Sequence, residues 1–366
     1  MSPAATLLVP PFAIKPRTRK NSARQASLAT VYSAANAIEL TPLLDGTLHS
    51  LLESAANRDQ VRNSLDHLFS QLALLKSGSS PGAWKACLPV CRSHPLISIL
   101  HEDPFTRRAF AKPRGYAGDA ELIDLIYGPK DGSVEPDASP LGLEIYRYTT
   151  SAPAAEGVRS RRAFVADLID DTTCERPGSH ILAIAAGHLR EANLTTAIRC
   201  RRMDRFVALD ADPVSLKVID NDYGAYGIET VPSSFGVLIT NRLQIGKFDL
   251  VYSTGLFDYL SQSTGRRLVK TMFDMLKPGG ELVVANFLPG IRDVGYMEAF
   301  MDWTLTYRTR HEMVDLTSEI DESEIHHLAL FAEENRNIIF LRVTRKRESG
   351  VPSYWNARQK TVRESR

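Results

Sequence analysis

The spacing of apolar residues along this chain changes near residue 152. Before that point it is helical. Val61, Leu65, Leu68, Phe69, Leu72 and Leu75 follow an i, i+4, i+7, i+8 pattern, which gathers them on one stripe of a helix. The run Ser77-Gly-Ser-Ser-Pro-Gly82 ends that helix. No strand alternation stands out between about residues 28 and 110, so this part predicts a helical cap or small N-terminal domain. The stretch around Gly128–Pro140 reads as a loop. Beyond residue 152, a helix from Ala154 to Ile169 leads into the apolar run Ile181-Leu-Ala-Ile-Ala-Ala186. Strand-length runs recur near Arg205–Asp210, Thr230–Pro232, Phe248–Ser253 and Glu281–Phe287, with helical or loop segments between them. That alternation predicts a parallel sheet. His327–Glu333 and Asn337–Thr344 are joined by the short polar turn Glu334-Asn-Arg336 and read as a hairpin. A hairpin there sets an antiparallel strand at the end of a parallel sheet.

Two strand ends carry candidate chemistry. The run at Ile181 turns at Gly187 and opens a helix-like segment, His188-Leu-Arg-Glu191 onward. Backbone N–H groups at a helix start can hold a polar ligand. One βαβ unit later the second run ends in Asp210, placed to accept both hydroxyls of a ribose. A nucleoside-containing ligand is the reading this pair supports. The plain alternatives are a bare strand–helix turn at Gly187 and a helix cap at Asp210, with Asp212-Pro213 as the helix start. Lys277-Pro-Gly-Gly280 turns the chain into the fifth strand and has no chemical role. In Lys112-Pro-Arg-Gly-Tyr-Ala-Gly-Asp119, two glycines around Tyr116 permit a close approach to ligand. Tyr146 and Arg147 are weaker candidates of the same kind. Tyr296, Met297, Phe300, Met301, Trp303 and Tyr307 form either an apolar substrate lid or plain core.

Composition narrows the field. With 366 residues and 43% hydrophobic content, the chain can bury a sizeable core. A net charge of +1 gives no signature of a nucleic-acid partner, and no apolar run reaches membrane-span length. Residues 1–27 are expected to be a disordered basic tail with Lys15, Arg17, Arg19, Lys20 and Arg24. Residues 28–140 are expected to form the helical cap, 141–345 the sheet domain and 346–366 a flexible tail. Four cysteines in this length suggest no disulfide scaffold and fit a reducing cytoplasm. Cys87 and Cys91, with His94 and His101 nearby, lack a standard zinc spacing, so no metal is expected.

Taken together, ILAIAAGHLRE, FVALDAD, FDLVYSTGLFDYL, LKPGGELVVANF and the terminal hairpin resemble a class I S-adenosylmethionine-dependent methyltransferase over roughly residues 150–345. Joined to KPRGYAGD, the set resembles more narrowly the bacterial 3-hydroxypalmitic acid methyl ester synthase type. The resemblance implies a Rossmann-like α/β sheet with a reversed last strand, and S-adenosylmethionine as the methyl donor. It implies donor contacts at Tyr116, Asp119, Ala185, Gly187, Arg190, Glu191, Asp210, Ala211, Ser234, Phe235, Thr254, Gly255 and Leu256. The family pattern has an acid and three alternating glycines where this chain has Ala183, Ala185, Gly187 and Leu189. Glu191 or Asp119 would then pair the donor's ammonium group, and Arg190 or Arg114 its carboxylate. A carboxylate acceptor would need a cationic clamp, with Arg114 first in line. A hydroxyl or amine acceptor would need a base, from His188, His101 or Tyr116. The fourth-strand loop Ser253-Thr-Gly-Leu-Phe-Asp258 lacks the tetrapeptide of enzymes that methylate base amino groups, which favours a small-molecule acceptor such as a fatty or polyketide-like acid. A nicotinamide-dependent oxidoreductase and a non-catalytic S-adenosylmethionine-binding protein remain the alternatives. The oligomeric state is not legible.

Overall fold

A computed structural model describes residues 40–128 and 136–347. The basic tail at 1–27, the middle of the loop before Pro140 and nearly all of the 346–366 tail lie outside the described residues. The N-terminal part is helical, as its spacing predicts: α1 (residues 40–53), α2 (Arg58–Gly78), α3 (Pro81–Ser93), α4 (Leu96–Leu100), α5 (Pro104–Ala111), α6 (Ala120–Tyr127) and α7 (Pro140–Thr150). Their starts are written locally. Asn57, Ser80, Asp103, Asp119 and Ser139 each accept a backbone N–H from the first turn of the helix that follows. The α2 stripe is buried at Val61, Leu65, Leu68, Phe69 and Leu72. The next helix, α8 (Pro153–Glu175), begins at Ala152, whose side chain cannot cap. Asp293, 139 residues away, accepts the Ala154 N–H instead at 2.5 Å.

The sheet alternates strands with short helices: β1 (His180–Ile184), α9 (Thr196–Arg199), β2 (Arg205–Asp210), α10 (Pro213–Tyr223), β3 (Ile228–Pro232), α11 (Phe235–Ile239), β4 (Phe248–Ser253), α12 (Gln262–Asp274), β5 (Leu276–Phe287), α13 (Val294–Phe300), α14 (Arg310–Asp315), β6 (Ile325–Ala332) and β7 (Ile338–Arg345). Its order is β3-β2-β1-β4-β5-β7-β6. β1 to β5 are parallel, and β7 runs antiparallel between β5 and β6. This is the Rossmann-like α/β sheet with a reversed last strand that the sequence predicts. β1, β2 and β4 are apolar almost throughout because both faces are covered. The fifth strand starts earlier than its sequence suggests. Phe248 pairs with Leu276 and Leu250 with Glu281, so Lys277–Gly280 bulges within the strand where a turn before it was expected.

Strand order reverses between β1 and β4, and it is outside the carboxyl ends at such a reversal that open α/β sheets form their ligand crevice. The cap covers one face of the sheet near that edge. Cap residues such as Leu65, Phe69, Trp84 and Leu100 belong to one continuous apolar cluster with Ile181, Phe206 and Leu250 of the strands. The segment after β5 holds the cap in place. Glu298 of α13, nearly buried, accepts the Trp84 indole N–H and the Lys76 ammonium, each at 2.6 Å. Arg92 donates to the Glu298 carbonyl at 2.7 Å, and Phe69 stacks on Tyr296 at 4.3 Å.

The cap and the sheet share one apolar core. A chain truncated to begin at Leu141 should aggregate, because it bares the apolar face that the cap covers. Size-exclusion chromatography of the truncated chain tests this; a monodisperse, cooperatively unfolding product would contradict it.

Candidate active site

The turn after β1 is left-handed three times. Ala185, Gly187 and Leu189 have φ values of 54°, 55° and 51°. Only the glycine adopts this conformation at no steric cost; each of the other two costs roughly 1–2 kcal/mol. Tertiary contacts hold the shape. Ala186 N–H reaches the Leu209 carbonyl at 3.1 Å, and Leu189 is buried. Gly187 N–H donates to Asp210 Oδ2, and Asp212 N–H to Asp210 Oδ1, both at 2.8 Å. The Asp210 carbonyl accepts Ser233 N–H at 2.9 Å. Ser253 Oγ donates to the Ile184 carbonyl at 2.8 Å. The ends of β1, β2, β3 and β4 are thus laced together, and burial raises the Asp210 pKa. Along this edge Ala185, Gly187, Asp210, Ser234, Phe235, Thr254, Gly255 and Leu256 are partly exposed, and Ala211 is exposed.

The helix expected after Gly187 does not form. Arg190–Asn193 is one 3-10 turn, and α9 has only four residues. The left-handed Leu189 breaks the helical path, and Asp170 takes the N–H groups of Thr196 and Ala197 at 3.0 and 2.7 Å. The one turn N–H in question, that of Gly187, is spent on Asp210. The crevice therefore offers a carboxylate and a shaped backbone in place of a helix terminus.

Several charged candidates have other employment. Asp119 is fully buried; it accepts both Arg108 Nε and Nη2 at 2.9 and 2.8 Å and the Leu122 N–H at 2.8 Å. Its carboxylate caps α6 and pairs Arg108. Arg190 is held by Asp124 at 2.6 and 2.7 Å and by Asp222 at 2.7 Å. Arg114 donates to Asp212, to Ser215 Oγ at 2.9 Å and to Glu121 at 3.0 Å. It fastens the Lys112–Asp119 loop to α10, and these contacts take three of its five N–H donors. Glu191 accepts the Tyr252 hydroxyl at 2.6 Å, and burial raises its pKa. Tyr146 is buried and donates to the Leu125 carbonyl, and Arg147 pairs with Glu144.

Among the base candidates, His101 lies against Phe110 and contacts the Phe300 carbonyl at 2.9 Å, and burial lowers its pKa. Tyr116 is pushed up to about 12 by burial and by Asp210, Asp119 and Asp212, so it holds its proton at neutral pH. His188 is different. It is 5% exposed, its Nδ1 lies 2.8 Å from Asp124 Oδ2, and its buried Nε2 has no partner among the described residues. Cys87 and Cys91 are buried on α3, and His94 pairs with Asp45. Among the described residues no cluster of three or more metal-ligating side chains occurs.

Sequence reasoning missed two residues. Asp124, which orients His188, sits on α6 with no local pattern to mark it. Arg161, on α8, is 6% exposed and, among the described residues, makes one ion pair, with Asp258 at 3.7 Å. A Cβ on Gly255 would lie 3.7 Å from its guanidinium, so Arg161 underlies the β4 end of the crevice.

The loop at 112–119 is tied beside this edge through Arg114, which donates to Asp212 and Ser215. Lys112 is paired to Asp302, and Gly118 is packed so closely that a Cβ would fall 2.9 Å from Trp303 and still nearer the Tyr259 hydroxyl. Tyr116 meets Tyr259 edge-on at 6.3 Å, and the Trp303 indole donates to the Tyr259 hydroxyl at 2.9 Å. Beyond Trp303 lies a small cavity of about 30 Å³, lined by Phe69, Phe105, Ile126, Met297, Met301 and Trp303, with Thr149 and Asp293 as its polar members. The Met and aromatic segment after β5 is therefore both core and cavity wall.

No protein-family model matches the chain, and no curated protein does. Among solved structures, a protein from Bordetella parapertussis described as a possible exported protein is 18% identical, with 83% of this chain and 97% of that one covered at a TM-score of 0.54. It shares the fold over most of both chains. Magnesium protoporphyrin IX methyltransferase from Synechocystis, bound to SAH, is 9% identical over 66% of this chain and 98% of that one at a TM-score of 0.44. N-methyltransferase NodS from Bradyrhizobium japonicum, in complex with S-adenosyl-l-homocysteine, is 15% identical over 53% and 89% at 0.38. Among the described residues, no helix is long and apolar enough to cross a membrane.

Asp293 yields a pH prediction. Burial pushes its carboxyl up to about 6, against the lowering influence of Ala154 N–H and Arg292. An unfolded Asp titrates near 3.9, so the folded chain holds this proton more tightly. That stabilisation is complete below about pH 4 and is lost as pH rises through about 6. Asp293→Asn removes the titration and should gain on the wild type between about pH 4.5 and about pH 7.5, by at most roughly 3 kcal/mol. Urea denaturation of both proteins at both pH values measures this; a stability difference independent of pH would contradict it.

Proposed function

We propose that this chain is an S-adenosylmethionine-dependent methyltransferase acting on a small apolar acceptor. The observation that carries the reading is the Asp210 carboxylate at the reversal of strand order, beside a left-handed turn. The residues suit the donor. Each Asp210 oxygen accepts one backbone N–H and keeps lone pairs for the ribose hydroxyls. Phe235 and Leu256 supply apolar edges for an adenine. Arg161, nearly buried and paired among the described residues only with Asp258 at 3.7 Å, suits the donor's carboxylate, as does Arg114 through its remaining N–H donors. When bound, the donor supplies an activated methyl group; the chain's part is to hold acceptor and methyl in line and exclude water. The Tyr116–Tyr259–Trp303 contacts and the cap above them suit that exclusion. A reducing cytoplasm suits the four unpaired thiols.

For a fatty or polyketide-like acid, Arg114 is the carboxylate clamp, through the N–H donors that Asp212, Ser215 and Glu121 do not take. A hydroxyl acceptor is the second reading. With Asp124 accepting the Nδ1 proton of His188, Nε2 presents a lone pair to take the hydroxyl's proton, and Asp124 fixes the ring's orientation.

Two measurements separate donor binding from chemistry. Asp210→Ala should weaken S-adenosylhomocysteine binding by about 1–3 kcal/mol in calorimetry; unchanged affinity in a folded variant would sink the ribose assignment. His188→Asn should leave that affinity unaltered and lower kcat by roughly 10²–10⁴ on the acceptor found by mass spectrometry with labelled donor. An undiminished kcat would remove His188 from the chemistry.

A further inference from the structure

Among the described residues, the exposed large apolar side chains include two aromatic ones, Tyr116 at 41% and Tyr259 at 40% exposure. The two touch. Their ring centroids lie 6.3 Å apart with the planes at 78°, an edge-on contact that leaves at least one face of each ring clear of the other. They come from different elements. Tyr116 belongs to the loop that Arg114 ties to Asp212 and Ser215, at the start of α10 just past β2. Tyr259 closes the 3-10 turn Phe257–Tyr259 after β4, with its N–H on the Leu256 carbonyl at 3.0 Å. In the sheet β1 lies between β2 and β4, so the two rings meet across the end of β1. A further contact places the Tyr116 loop there. Where it runs into α6, Ala120 abuts the turn after β1: a Cβ on Gly187 would lie 3.4 Å from the Ala120 Cβ. Packing also fixes the second ring, since the Trp303 indole donates to the Tyr259 hydroxyl at 2.9 Å and Gly118 leaves no room for a side chain beside it.

The surroundings of the pair are rich in carboxylates. Burial raises both phenol pKa values; Asp210, Asp119 and Asp212 raise that of Tyr116 further, and Asp258 that of Tyr259. The nearby guanidiniums of Arg114 and Arg161 are each paired with an acid. Open aromatic faces amid carboxylates favour a cation, because the face of the ring is the negative end of its quadrupole. S-adenosylmethionine carries such a cation, a sulfonium, between its ribose and its amino-acid tail. Its product, S-adenosylhomocysteine, has a neutral thioether in that place. Asp210, suited to the ribose, acts on Tyr116, and Arg161, suited to the tail, acts on Tyr259.

From this juxtaposition we infer that the Tyr116–Tyr259 pair receives the donor's sulfonium on its ring faces, and so holds the charged donor in preference to the neutral product. The inference rests on the methyltransferase reading and adds a specificity for charge at the centre of the ligand. It also bears on turnover. Once the methyl group has left, the positive charge has gone, and the attraction of the rings for the spent donor goes with it.

Calorimetric titration of the full chain with S-adenosylmethionine and with S-adenosylhomocysteine tests this. The wild type should bind the charged ligand more tightly by about 3- to 30-fold, the range of a cation–π contact. Tyr116→Leu keeps apolar bulk and removes the ring face. It should lower that ratio by at least about twofold and leave S-adenosylhomocysteine affinity unchanged. Tyr116→Phe keeps the face and should keep the ratio. Tyr259→Leu should repeat the loss; if it does not fold without its bond to Trp303, the Tyr116 variants decide by themselves. Equal binding of the two ligands by the wild type overturns the inference. So does a ratio untouched by Tyr116→Leu, or one lost as fully in Tyr116→Phe. In each of those cases the methyltransferase reading stands, because S-adenosylhomocysteine binds. A folded wild type that binds neither ligand sinks that reading and this inference with it.

Discussion

The site hangs on one carboxylate that takes two backbone N–H groups. Asp210 ends a buried strand and reaches sideways to Gly187 and forward to Asp212. The first contact closes the turn after β1 against β2; the second sets the start of α10. Because β1 is also the strand from which the order reverses, both sides of the crevice are referred to this one side chain. Asp212 then holds Arg114, and through it the loop that carries Tyr116 over the edge. Glu121 and Ser215 share that guanidinium, so the loop is attached to the cap and to the sheet at once.

Much of the fold was legible because it is written in short-range patterns. The α2 stripe, the apolar runs of β1, β2 and β4 and the hairpin of β6 and β7 came out where periodicity placed them. In the hairpin Glu333 secures the turn by accepting the N–H groups of Asn335 and Ile338, each at 2.7 Å, a contact within a few residues. What failed was decided at long range. The segment after Gly187 has an acceptable helical composition, yet Asp170 and the sheet contacts impose a 3-10 turn. The bulge at Lys277–Gly280 depends on pairing with β4, which a single strand's sequence does not contain.

The candidate site was legible in its backbone and poorly legible in its charges. Small residues and an acid at strand ends report geometry, and Ala185, Gly187 and Asp210 stand together as that geometry required. An arginine or an aspartate can serve equally as ligand, tether or cap, and only its partners decide. Arg114 and Asp119 are bound within the protein; Arg161 and Asp293 keep hydrogen-bonding capacity unspent. The first pair lies in a conspicuous glycine-rich loop. The second lies in a long helix and at the start of a short one, where nothing local distinguishes them.

The turn after β1 has a consequence for how a ligand is received. A loop of three glycines could populate many shapes, and a ligand would have to select one of them. Here alanine and leucine hold the first and third left-handed positions. Both have fewer accessible backbone conformations than glycine, and neither enters this region without the surrounding contacts. The strain is met when the chain folds, so the turn arrives preorganised and less conformational entropy remains to be lost on binding. The same stiffness makes the turn intolerant of rearrangement. Variation in what this protein recognises should therefore arise in the cap, while the cradle at the strand ends keeps its shape.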